Sequence, residues 1–263
     1  MLARLRIPYL VDYDDALFHK YDLHKIPLVR LLLGEKIDKV MKNAALVVCG
    51  NDYLARRAEQ AGAARVEIIP SVIDLDSYSV KFRTSVENKP VRIGWVGSPA
   101  TTRYLYVLEP VIRELHEKHG VGFVAIGADR KIAAKLPIDV VPWTEESEVE
   151  SIQKFDIGVM PLADSPWERG KCGYKLIQYM ACGLPVVASP VGINREIVEH
   201  GGTGFFARNL EEWLELLETL IINHNLRNKM GNAGRKKVES WYSLQVQAPR
   251  LKKLLIDLNE RTD

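Results

Sequence analysis

The sequence predicts an α/β protein built on parallel sheets with helices packed on their faces. Three observations carry that expectation. Short runs of β-branched and apolar residues alternate with longer stretches of helical periodicity. Glycine or a polar turn follows several of the short runs, as at Gly50-Asn51, Gly97-Ser98 and Gly127-Ala128-Asp129. From Asp74 to Lys89 the pattern lapses into a polar, irregular stretch and then restarts, which predicts two units with a boundary at about 85–90.

In the first unit a strand is expected over 8–11 and a helix over 28–43. Residues 44–49 read as a strand that ends at Gly50-Asn51. Asp52 is placed to cap a helix over 53–61, which Gly62 stops. A strand over 66–69 closes the unit before Pro70.

The second unit reads as six strands, over 91–96, 122–126, 138–141, 156–161, 185–188 and 204–207. Helices are expected between them, from Thr101 or Thr102 to His119 and over 131–136, 146–154, 174–181 and 194–200. Three more follow, over 210–224, 226–240 and 244–258. Right-handed crossovers put all strand C-termini on one edge, where ligands bind in open α/β sheets. The site is therefore expected in the loops after Val96, Ile126, Val141, Leu162 and Ala188.

Composition narrows the class. Apolar residues make up 47% and charged residues 27%, ordinary for a globular protein with its own core. With 36 basic and 34 acidic residues, charge gives no general case for a nucleic-acid binder. Cys49, Cys172 and Cys182 share no metal-ligand spacing and point to a reducing, cytoplasmic setting. No apolar run approaches the roughly 20 residues that span a bilayer. The charged start, Met1 to Pro8, lacks the apolar core of a signal peptide.

Two loops carry chemistry. In the first, Gly97 lets the backbone approach a ligand, the helix after the turn Gly97-Ser98-Pro99 aims its dipole at the same place, and Arg103 adds a cation. A phosphate site fits this loop; so does a tight turn with a solvated arginine. The second and third glycines of G-x-G-x-x-G are missing, which disfavours a nicotinamide dehydrogenase. In the second loop, Lys171 and Lys175 put two cations at a helix start, the end that repels them unless an anion lies between. Gln178 shares a helical face with Lys175 and suits a ribose diol. The plainer reading is two solvated lysines beside a core helix.

The run from Lys171-Cys172-Gly173-Tyr174-Lys175 through Gln178-Tyr179-Met180-Ala181-Cys182-Gly183-Leu184-Pro185, with Gly201-Gly202-Thr203-Gly204-Phe205, resembles the donor domain of family 4 GT-B glycosyltransferases over 91–240. Asp12-Tyr13-Asp14-Asp15-Ala16 and Gly50-Asn51-Asp52-Tyr53 resemble the end of the same family's N-terminal domain. The resemblance implies a GT-B-like fold with a complete C-terminal Rossmann-like domain and an N-terminal one that lacks its first strands. The units would be 1–85 on the acceptor side, 90–240 binding the sugar nucleotide, and a C-terminal helix within 241–263 packing back on the first unit.

It further implies retaining, metal-independent transfer from a sugar nucleotide, UDP- or GDP-linked, to a glycan or lipid-linked acceptor, with no other cofactor. Lys171, Lys175 and Arg103 would neutralise the diphosphate, and Ser98 stands where the family often has an arginine. The amides of Cys172, Gly173 and Tyr174 would hold the sugar, and Trp143 would stack on the base. The family's E-x7-E motif falls on Gly170 and Gln178, so two glutamates are absent and Glu168 is the nearest substitute for the first. These losses keep open a non-catalytic sugar-nucleotide-binding relic. Asp12, Asp14 and Asp15 read as either a cleft-facing or a surface cluster. The basic runs Lys25, Arg30, Lys36, Lys39, Lys42 and Arg235, Lys236, Lys237, Arg250, Lys252, Lys253 read as solvated faces or as peripheral membrane contacts.

Overall fold

Two sheets form within the residues described by the computed structural model, 8–80 and 89–260, and every strand pairing in them is parallel. The first sheet runs β1 (Leu10–Tyr13), β2 (Leu46–Cys49), β3 (Val66–Ile68) in that order. Leu10 lies opposite Leu46, and Val47 opposite Val66. All four residues of β2 are buried, as a central strand covered on both faces requires.

Helices of seven residues or more are numbered. The single helix expected over 28–43 is two, α1 (Pro27–Leu33) and α2 (Lys36–Lys42), broken at Gly34-Glu35. Glycine is a weak helix former, and the chain turns there. The expected cap Asp52 is the first residue of α3 (Asp52–Gln60); the cap is Asn51, whose side-chain oxygen accepts from the Leu54 N–H at 3.0 Å. Asp52 still favours the positive end of the helix dipole. Phe18, Met41, Leu54 and Ala58 pack under β2 into a small core.

The second sheet has the order β6-β5-β4-β7-β8-β9. Its strands are β4 (Arg92–Val96), β5 (Gly122–Ile126), β6 (Ile138–Val141), β7 (Ile157–Met160), β8 (Val186–Ala188) and β9 (Gly204–Phe206). The chain begins in the middle, winds outward to β6, returns beside β4 as β7 and winds outward again. That reversal opens a crevice at the carboxyl ends of β4 and β7.

The remaining helices are α4 (Glu109–His119), α5 (Glu145–Ile152), α6 (Tyr174–Ala181), α7 (Leu210–Ile222), α8 (His224–Trp241) and α9 (Leu244–Glu260). The helix expected from 101 or 102 to 119 is interrupted, with short turns over Pro99–Thr101 and Arg103–Tyr106 before α4. Pro110 is the cause: it has no N–H to bond back and sits instead in the first turn of α4. The helices expected over 131–136 and 194–200 are single turns, Arg130–Ala134 and Asn194–Ile197.

Hydrophobic clusters cover both faces of this sheet. Trp95, Ile112, Leu115 and Leu217 belong to one. Phe155, Leu176, Tyr179 and Val238 belong to the other. Several joints link the two units. Cys172, from the loop before α6, is buried in the core of the first sheet. Ile73 accepts from the Leu244 N–H at 2.8 Å and donates to the Tyr242 carbonyl at 3.1 Å. Gln245 adds a hydrogen bond to Asp74 at 2.7 Å. Most of the boundary expected at 85–90, and the charged start, lie outside the described residues.

Candidate functional site

A cleft of about 400 Å³ lies at the carboxyl ends of β4 and β7 and is lined from both units. Its floor is the start of α6. Gly173 caps that helix at φ +67°, and a Cβ there would strike Ile197, so only glycine serves. The amides that follow point out of the helix end, where they favour an anion.

Lys171 and Lys175 flank this end and both line the cleft. Lys171 Nζ lies 3.5 Å from Asp15 Oδ1, and the Lys175 ammonium lies 5.9 Å from the centroid of the Trp95 ring. Among the described residues Lys175 has no ion-pair partner within 4 Å. Burial, with the charge of Lys171 beside it, pulls the Lys175 ammonium down to about 8 although Asp15 works the other way. Burial raises the Asp15 carboxyl against the pull of Lys171. Cys172 is pushed up to about 12 by burial and by Asp14 and Asp15, so it is an inert thiol.

The opposite wall is a hydrogen-bonded chain. Gln178, 1% exposed, donates through Nε2 to the Tyr78 hydroxyl at 2.7 Å. Tyr78 donates to Glu148 Oε2 at 2.9 Å, and Trp143 Nε1 donates to Glu148 Oε1 at 2.6 Å. Burial holds the Tyr78 phenol well above its ordinary value, so the hydroxyl keeps its proton. The Trp143 ring stays half exposed at the rim.

Of the residues singled out from sequence, Gly97, Ser98, Trp143, Lys171, Cys172, Gly173, Tyr174, Lys175 and Gln178 line this cleft. Two do not. Arg103 does not line the cleft: its guanidinium bonds the Tyr104 hydroxyl at 3.2 Å, lies 3.5 Å from Glu168 and is two-thirds exposed. Gly170 packs on Ala16 with no room for a Cβ, so no side chain at that position reaches the cleft. Glu168 is buried and bonded to the Tyr104 and Ser165 hydroxyls. Burial raises its carboxyl, but those two donors and Arg103 hold it below the ordinary value. Glu168 braces the loop and does not line the cleft.

Asp14, Asp15, Ser71 and Glu148 also line the cleft. Of the acidic cluster at the end of β1, Asp14 and Asp15 therefore face the cleft, while Asp12 lies within the strand. Sequence reasoning passed over Glu148 and Ser71; the acidic run Glu145-Glu146-Ser147-Glu148 reads as a capped helix start. Asn51 holds the lysine loop in place, donating to the carbonyls of Gly170 and Lys171 at 3.1 Å each. Among the described residues no group of three or more His, Cys, Asp and Glu is set to hold a metal.

Comparison with known proteins places this geometry. Residues 90–223 match the family model described as glycosyl transferases group 1, and the chain belongs to that family. A putative teichuronic acid biosynthesis glycosyltransferase, TuaH of Bacillus subtilis, is 23% identical over 68% of this chain and 51% of its own length. The sulfoquinovosyl transferase SQD2 of Arabidopsis thaliana is 26% identical over 73% of this chain and 40% of its own length. The chain thus spans about half the length of these relatives. The sucrose-phosphate synthase of Thermosynechococcus elongatus superposes with a TM-score of 0.78 over 98% of this chain and 70% of that one, at 16% identity. HepE of Anabaena, solved with UDP and glucose, gives 0.75 over 97% and 73%, at 15% identity. Such likeness establishes the fold, which is that of the GT-B glycosyltransferases.

Proposed function

We propose that this chain carries the donor site of a retaining, metal-independent glycosyltransferase that moves a sugar from a UDP- or GDP-sugar to a glycan or lipid-linked acceptor. One observation carries the reading: Lys171 and Lys175 converge on the amino end of α6 in a cleft at the switch of strand order. The cation on Lys175 is held without a carboxylate partner, which is costly unless an anion completes the site. In transfer the diphosphate leaves with growing negative charge. Two ammonium groups and the helix amides stabilise that charge without reorganising. The rest of the catalysis is positioning. In this reading residues 1–85 hold the acceptor side, 90–240 hold the donor, and the helix within 241–263 returns to the first unit. The three buried free thiols suit a reducing, cytoplasmic compartment.

A panel of UDP-, GDP-, ADP- and dTDP-sugars in a thermal-shift assay tests the donor site, since a bound ligand raises the melting point by mass action. A UDP- or GDP-sugar should give the largest shift; no response to any of them refutes the reading. The packed Gly170 and the committed Glu168 favour a second reading, a binder that no longer transfers. Release of labelled sugar to an acceptor distinguishes the two.

The membrane part of the reading rests on α1 and its flanks. Leu31, Leu32 and Leu28 are 81%, 67% and 60% exposed, with Leu23 and Ile26 also exposed and Lys25, Arg30 and Lys36 beside them. Apolar side chains ringed by cations suit the surface of an anionic bilayer. The basic run near the end contributes less. Arg235 bonds the carbonyls of Tyr78 and Ala181, and Lys237 is paired with Glu199. Among the described residues no helix is long and apolar enough to cross a membrane.

A further inference from the structure

We propose that Glu148 is the carboxylate that receives the ribose hydroxyls of the nucleotide, and that Gln178 is its support; this rests on the donor-site reading above. Glu148 stands in the first turn of α5 and lines the cleft. Its two oxygens are fixed by Trp143 Nε1 at 2.6 Å and the Tyr78 hydroxyl at 2.9 Å. A carboxylate accepts about four hydrogen bonds, so each oxygen keeps a free lone pair. A vicinal diol offers two donors, which match two carboxylate oxygens. If the half-exposed Trp143 ring takes the base, the sugar joined to that base falls beside the ring's N–H edge, where Glu148 sits.

The direction of the hydrogen bonds settles which end of the chain is acidic. Tyr78 has one proton. It accepts from Gln178 and donates to Glu148, so position 178 must be a donor and position 148 an acceptor. The Tyr174 hydroxyl, which lines the cleft, also lies against Tyr78. A glutamate at 178 would lose the donor and set two carboxylates on one buried hydroxyl, each raising the cost of the other. The amide at 178 and the acid at 148 are thus a matched pair. The charge missing from α6 is present on the facing wall, carried by α5.

The test is calorimetric titration of UDP against 2′-deoxy-UDP, and of GDP against 2′-deoxy-GDP, into the full chain. Wild type should prefer the ribonucleotide by about tenfold, the size of one hydrogen bond to a charged acceptor. Glu148→Gln should abolish that preference, weakening the ribonucleotide by about tenfold more than the deoxynucleotide, which offers the carboxylate only its 3′-hydroxyl. Gln178→Glu should weaken both ligands, and the double exchange Glu148→Gln with Gln178→Glu should relieve that weakening without restoring a preference for ribose, because donor and acceptor have traded places along the chain while position 148 still lacks its carboxylate. A Glu148 that only tethers Trp143 predicts equal losses for both ligands; that result overturns the assignment, as does a ribose preference that survives Glu148→Gln. Binding by wild type without ribose preference overturns this assignment alone. No binding of UDP or GDP overturns the donor-site reading and this assignment with it.

Discussion

Lys175→Met removes the ammonium, which lies 5.9 Å from the Trp95 ring centroid, but keeps most of the apolar stem. In the free protein burial and Lys171 hold this lysine at about 8 against an ordinary 10.5. A diphosphate favours the charged form, so binding takes up a proton wherever the lysine is partly neutral. From about pH 7 to about pH 9 the protonated fraction of such a group falls from roughly nine-tenths to roughly one-tenth, so wild-type affinity should fall about tenfold, or ~1.4 kcal/mol. At neutral pH the variant should bind more weakly by ~1.5–3 kcal/mol, the range for a hydrogen bond to a charged group, and its affinity should no longer follow pH in this window. Calorimetric titration with the sugar nucleotide that gives the largest melting shift measures both, because a diphosphate ester has no second ionisation there. The sign of the stability effect follows from the same cause. A lysine depressed on folding destabilises the native state fully below its folded value of about 8, and the penalty fades as pH rises to 10.5. The ligand-free variant should therefore melt above wild type at neutral pH, with the gap closing toward the ordinary lysine value. A pH-independent wild-type affinity, or a variant that binds as well as wild type, would refute the reasoning.

Three further outcomes are expected. Asn51→Ala loses the cap of α3 and leaves the Gly170 and Lys171 carbonyls without their donor, at a cost of about 1–3 kcal/mol. Urea unfolding should register that loss, and nucleotide affinity should fall as the lysine loop loosens; an unchanged midpoint counts against the joint. Tyr179→Phe strands the Val96 N–H, which donates to the Tyr179 hydroxyl at 2.7 Å in the core, and should cost ~1–3 kcal/mol in the same assay. Leu31→Glu with Leu32→Glu should reduce co-sedimentation with phosphatidylserine vesicles and leave nucleotide binding intact; equal sedimentation of variant and wild type removes the membrane reading.

Much of the second sheet was legible because local and tertiary forces agree there. The strands over 122–126 and 138–141 and the helix over 174–181 stand where the pattern puts them. Each is an apolar run or stripe bounded by a turn residue, and burial selects the same residues that propensity does. The cations at the start of α6 were legible for a related reason: two lysines at the positive end of a dipole are a local conflict, and local conflicts mark sites. Arg103 shows the limit of that logic. Its place in the chain suits a phosphate, but its guanidinium bonds the Tyr104 hydroxyl and lies beside Glu168, and it does not line the cleft.

The sequence by itself determined the fold class and the parallel order of elements, and it singled out the segment from Gly170 to Pro185 as the candidate site, because these depend on periodicity, turn residues and neighbours a few positions apart. Only the tertiary structure decided which polar groups share a proton. Gln178 meets Tyr78 across 100 positions and Tyr78 meets Glu148 across 70, and Asn51 reaches Gly170 across 119. Hydrogen bonds depend on distance and direction in space, which no local pattern records. The lysines that sequence singled out therefore line the cleft, while Glu148, the ribose acceptor proposed above, came into view only when three distant segments were brought side by side.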